Sequence, residues 1–146
     1  MLLGTIQTDL KNAQLARDEV KVSALRMLLS EIHNMNIQKG GELSDAEVVS
    51  IVQREVKKRK EAAAGFRSGD REASAKKEEA ELEVLMVYLP AQLSTEELTK
   101  IIVESINETG AVSISDMGKV IGSVMGKVAG RADGGTVSAL VKEKLS

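Results

Sequence analysis

Asp116-Met-Gly-Lys-Val-Ile-Gly-Ser-Val-Met-Gly-Lys-Val-Ala-Gly-Arg-Ala-Asp-Gly-Gly135 sets Gly118, Gly122, Gly126 and Gly130 at every fourth position of a run that otherwise reads as a helix. With about 100° of rotation per residue, Met117, Val120, Ile121, Val124, Met125 and Val128 form one apolar arc. The glycines form the adjoining arc, and Lys119, Ser123 and Lys127 complete a polar ridge. Each interior glycine costs about 1 kcal/mol relative to alanine, so such a face has to be offset by packing or binding. Periodicity alone favours a neighbouring helix backbone against the glycines; the alternative is the sugar-phosphate backbone of a nucleic acid.

Outward from this stretch, the composition supports helices throughout. The 146 residues are rich in Glu, Lys, Ala and Leu, with one proline, Pro90, and only Phe66 and Tyr88 as aromatics. Any core is therefore aliphatic. Before it, Leu3, Ile6, Leu10 and Ala13 predict a first helix, and Asp18 can cap a second that carries Val22, Leu25, Leu29 and Ile32 and fades at Gly40-Gly41. Leu43-Ser-Asp-Ala-Glu-Val48 combines a Ser-x-x-Glu capping box with a hydrophobic staple and starts a long third helix that stops before Ser68-Gly69. Asp70 is expected to cap a fourth, bearing Ala73, Ala80, Val84 and Val87 up to Pro90, where proline ends it.

Leu93-Ser-Thr-Glu-Glu-Leu98 repeats the box and staple, starting a fifth helix that ends at Gly110. Ser113 or Ser115 is expected to cap the sixth, and Asp133 the last, with Val137, Leu140, Val141 and Leu145 on its apolar face. The fold expected is all-α: an N-terminal four-helix unit over residues 1–90, then a small three-helix unit over 91–146.

Charge and chemistry narrow the function. The net charge is −2, and the counts are 14 basic and 15 acidic residues before Pro90, 6 and 7 after it, so phosphate binding has to come from local clusters. With no cysteine, disulfides, thiolate nucleophiles and cysteine-ligated zinc are excluded, which fits a reducing cytoplasm. No run is long and apolar enough for a membrane span, and the first residues lack the features of a signal peptide. His33 is the sole histidine, with no partners for a triad, and reads as a surface residue. No phosphate loop, His-Glu-x-x-His or Gly-x-Ser-x-Gly occurs, and the acidic run Glu78-Glu-Ala-Glu-Leu-Glu83 reads as a solvated face rather than a metal site. We expect no catalytic residue, metal or cofactor.

Two clusters remain. Arg54, Lys57, Lys58, Arg59 and Lys60 form the densest positive patch, which is equally an ordinary charged helix face or a phosphate-binding one. The turn from Gly130 through Arg131 to Gly134 precedes a helix N-terminus, where free amides can hold phosphate and an arginine can pair with it bidentately. So few aromatics leave little scope for base stacking; any RNA is bound by shape and backbone.

Arg54-Glu-Val-Lys-Lys-Arg-Lys60, Tyr88-Leu-Pro-Ala-Gln-Leu93 and Asp116-Met-Gly-Lys119 through Gly130-Arg-Ala-Asp-Gly134 together resemble the GatB/YqeY family, in particular its stand-alone YqeY-like proteins. In that family the same two helical units form the tail of the B subunit of the glutamine-dependent aspartyl/glutamyl-tRNA amidotransferase, where they contact the bend of the tRNA. The resemblance implies tRNA as a partner, with an amidotransferase or another tRNA enzyme alongside. It implies contact with the tRNA backbone at Lys119, Lys127 and Arg131, with Gly118, Gly122, Gly126, Gly130 and Gly134 permitting close approach, and secondarily at Arg54, Lys57, Lys58 and Lys60. A carbon–nitrogen ligase label with glutamine as amide donor follows from the shared domain, yet the chain has room for neither ATP-dependent carboxylate activation nor an amidase. A protein-interaction module, with the glycine face receiving a partner helix, is the alternative.

Overall fold

A computed structural model describes residues 1–146 as seven α-helices and no strand: α1 (Leu2–Leu15), α2 (Glu19–Lys39), α3 (Asp45–Ser68), α4 (Glu72–Met86), α5 (Thr95–Thr109), α6 (Met117–Val128) and α7 (Gly134–Leu145). A short 3-10 turn, Ile114–Asp116, leads into α6. The chain divides into two compact units, Met1–Leu89 and Pro90–Ser146.

The helix starts follow local chemistry. Asp18 accepts from the Lys21 N–H at the start of α2, and both capping boxes form, Ser44 with Glu47 and Ser94 with Glu97. Gly40 and Gly110 end α2 and α5 in the left-handed conformation. At α4 the expected cap fails: Asp70 itself takes a left-handed φ of 58°, the cap position falls to Arg71, and no side chain bonds the first amides. The α3–α4 turn is tight enough that Asp70 is spent reversing the chain. The two serines expected to cap α6 do not reach it either. Asp116 stands at its start and turns its carboxylate backwards, accepting from the Val112 and Ser113 N–H groups at 3.0 and 3.4 Å.

In unit 1, α3 packs mainly on α4, and α2 packs on both α1 and α4. The core is Ile6, Leu25, Leu28, Ile32, Val48, Val52 and Leu85. The inward face of α4 differs from the expected one. Val84 packs half-buried against the core as expected, but Ala73, Ala80 and Val87 are exposed, while Ala75, Glu81 and Leu85 are buried. The reason is a charged pair in the interior. Arg59 of α3, 5% exposed, donates to Glu81, 3% exposed, and to Glu78 at 3.0 Å. Two members of the acidic run are thus partners of a buried guanidinium and not a solvated face. In unit 2, Leu98 and Ile102 of α5, Val120, Val124 and Val128 of α6, and Val137 and Val141 of α7 make a second aliphatic core.

Candidate nucleic-acid interface

The apolar arc of α6 is buried as its periodicity requires. Val120, Val124 and Val128 have no measurable exposure. Each such side chain contributes about 1.5 to 3 kcal/mol on burial, which exceeds the roughly 1 kcal/mol per glycine on the other face. That other face is not covered by a helix of this unit. Gly118, Gly122 and Gly126 are exposed, and a methyl added to any of them would meet nothing within 4 Å. The expectation of a neighbouring backbone from within the fold is therefore overturned: α6 presents a bare main-chain ridge to the outside.

The cations beside that ridge differ from one another. Lys119 is exposed and forms no ion pair. Lys127 reaches back to α5, 2.7 Å from a Glu108 carboxylate oxygen and 3.8 Å from one of Glu104. The hydrogen bond that its ammonium donates to Glu108, and the charge of Glu104, hold Lys127 above the usual lysine range. Arg131 folds onto the end of α6, donating Nε to the Val128 carbonyl at 3.0 Å and Nη2 to the Lys127 carbonyl at 2.9 Å. The Val128 carbonyl also accepts from the Arg131 backbone N–H at 2.9 Å, so Arg131 closes the end of α6 with main chain and side chain together, a structural role unforeseen in its sequence context.

The turn itself is held in the left-handed region by Ala129 at φ 45° and Gly130 at φ 88°. Gly130 is buried, so it supplies a backbone bend and not an exposed approach. Gly134 opens α7 and is exposed. The amides there already have an anion: Asp133 accepts from the Thr136 N–H at 3.1 Å and lies 3.3 Å from its hydroxyl. The start of α7 is thus capped by its own carboxylate rather than left free for phosphate.

On unit 1 the positive run splits by helical position. Arg59 points inward to Glu81 and Glu78, and Lys58 lies 3.2 Å from Glu55. Arg54, Lys57 and Lys60 are exposed on the outer side of α3 and form no ion pair. His33 is exposed, and no group of three or more His, Cys, Asp or Glu residues is arranged to hold a metal. No helix is long and apolar enough to cross a membrane.

These features belong to an all-helical chain of two small units, with cations outside ion pairs on helix surfaces and an exposed glycine ridge. The model of the YqeY-like protein family matches residues 3–145, and the chain belongs to that family. Among curated relatives, an uncharacterized protein of Schizosaccharomyces pombe is 31% identical over 93 residues, covering 64% of this chain and 76% of its own length. The "Altered inheritance of mitochondria protein 41, mitochondrial" of Pyrenophora tritici-repentis is 30% identical over 113 residues, 74% of this chain and 62% of that protein. The protein of the same name from Vanderwaltozyma polyspora is 34% identical over 89 residues, 60% of this chain and 48% of its own length. The alignments thus span about half to two thirds of these two longer relatives.

Proposed function

We propose that this chain is a tRNA-contacting accessory module that grips the phosphate backbone through helix surfaces, beside an amidotransferase or another tRNA enzyme, in the cytoplasm. The observation that carries the reading is the exposed ridge of Gly118, Gly122 and Gly126 with Lys119 unpaired beside it. A ridge without side chains lets a phosphate backbone come close enough for main-chain and lysine contact, and the energy of burial on the opposite face makes such a ridge affordable to the fold. Arg54, Lys57 and Lys60 offer a second set of unpaired cations.

Lys127 and Arg131 join the contact by exchanging internal partners for phosphate. Glu104 and Glu108 are exposed by more than half, so the ion pair they form with Lys127 is weak enough to exchange. Gly130 and Gly134 act through the shape of the turn, and Lys58 through its exposed ammonium opposite Glu55.

The test is anisotropy titration of total tRNA at several salt concentrations. A contact to three phosphates gives a slope of log affinity on log salt near −2 to −3. Replacing Lys119, Lys127 and Arg131 together by Ala flattens the slope; a slope unchanged by that replacement overturns the reading. Recovery of a ribonuclease-resistant protein complex that depends on the glycine ridge would favour the protein-interaction alternative instead. Release of ammonia from glutamine by the purified chain would instead favour the carbon–nitrogen ligase alternative.

A further inference from the structure

Between α1 and α4, both of which pack on α2, unit 1 has an open cleft of about 630 Å³ that the proposed RNA contact does not use. Small or aliphatic side chains line it: Ala13, Ala16, Leu25, Ala80, Val84 and Val87. Leu25 and Ala13 are buried, whereas Val87 is 73% exposed, an aliphatic side chain left open at the mouth. Three alanines on the facing walls permit the close axial approach, about 8 to 10 Å, at which helices pack.

The rim is acidic. Asp9, Asp18 and Glu83 border the cleft, with Lys21 as the one cation. Asp9 already accepts from the Tyr88 hydroxyl at 2.5 Å, and Asp18 from the Lys21 N–H at 3.2 Å. A carboxylate offers about four acceptor sites, so each keeps capacity for a further donor. Glu83 forms no ion pair and is exposed.

We propose that this cleft is the docking site for a basic amphipathic helix of a partner protein, its apolar stripe on Ala13, Ala80, Val84 and Val87 and its Lys or Arg residues flanking Asp9 and Glu83. Charge complementarity selects this occupant. A nucleic acid would meet three carboxylates against one ammonium and be repelled, and an acidic helix likewise. The proposal is independent of the reading of α6 as an RNA contact, since it uses neither that helix nor the outer face of α3.

The test is site-specific photo-cross-linking of the full chain in its host cells, with the reactive amino acid at Ala80 in one variant, Val87 in a second, and the exposed position Glu96 of unit 2 as reference. The expected result is a cross-link at Ala80 and Val87, stronger than at Glu96, into one protein segment. Sequenced by mass spectrometry, that segment carries net positive charge and an apolar period of 3.6. Adding Glu83→Lys lowers the cross-link yield by about tenfold while the circular dichroism stays unchanged. Cross-links into RNA, into a second copy of this chain or into an acidic segment overturn the proposal. So does a yield at Ala80 and Val87 no higher than at Glu96.

Discussion

Arg59 and Glu81, on neighbouring helices α3 and α4, meet in the interior of unit 1 with Nη1 of the guanidinium on a carboxylate oxygen. Glu78 takes a second bond to the same nitrogen, and Nη2 rests against the Met27 sulfur at 3.3 Å. A charge this deep is tolerated only with its counter-charge beside it.

Removing one partner should therefore cost far more than removing both. Glu81→Ala is expected to destabilise unit 1 by about 3 kcal/mol or more, whereas Arg59→Met with Glu81→Leu and Glu78→Gln loses much less. Urea unfolding followed by circular dichroism measures the difference. Equal losses in the two variants would show that the pair contributes packing and not charge compensation.

The glycine ridge separates stability from binding. Gly122→Ala fills open space in an exposed helix interior and should raise the stability of unit 2 by about 0.5 to 1 kcal/mol. Gly122→Leu, whose Cβ likewise meets nothing within 4 Å, should keep the fold and weaken tRNA binding by about tenfold through its bulk. A tRNA affinity indifferent to leucine there would remove the ridge from the contact.

Lys127 is restrained by its own carboxylates. Glu104→Gln with Glu108→Gln is expected to free the ammonium and raise tRNA affinity by a few-fold at low salt, an effect that fades as salt screens the contact. Salt-dependent anisotropy reads it, and an affinity lowered by the double substitution would contradict the exchange of partners.

Asp133 should act as a cap in the ordinary range. Asp133→Ala leaves the Thr136 amide without its acceptor and is expected to cost about 1 kcal/mol, seen as a lower Tm of unit 2. If the same variant gained affinity for inorganic phosphate, the vacated amides would have taken up an anion.

Acid should loosen the entry to α6. Backbone hydrogen bonds from Val112 and Ser113 hold the Asp116 carboxyl below its ordinary value of 3.8. A carboxyl lowered in the folded state contributes stability that is present above the unfolded value and lost as pH falls through the folded one. Unit 2 is thus expected to lose this contribution below about pH 3.8, and Asp116→Asn to flatten the decline; unfolding curves from pH 2 to 6 show it.

Most helix starts and stops were legible because they depend on neighbours in sequence; the starts of α4 and α6 were not, since tight turns drew Asp70 and the serines before α6 away from the expected caps. Ser44 with Glu47, Ser94 with Glu97, and Asp133 with Thr136 are local bonds that any tertiary setting leaves intact. The inward face of α4 was not legible. Its determinant is Arg59, twenty-two residues from Glu81, and an acidic stripe gives no sign that a buried guanidinium will claim it. Arg131 was misleading for a related reason: its partners are main-chain carbonyls, which carry no sequence signature. The open side of the glycines depended on where α5 and α7 lie, and periodicity reports only that one face differs from another.

The short segment ahead of α5 is more than a connection. Leu93 donates its N–H to the Arg131 carbonyl at 2.8 Å, and the Gln92 side-chain amide reaches the Gly130 carbonyl at 3.2 Å. These bonds clasp the beginning of unit 2 to the corner between its last two helices. Any fragment cut for separate study should begin no later than Pro90, because trimming to Ser94 would unfasten the corner that carries Arg131.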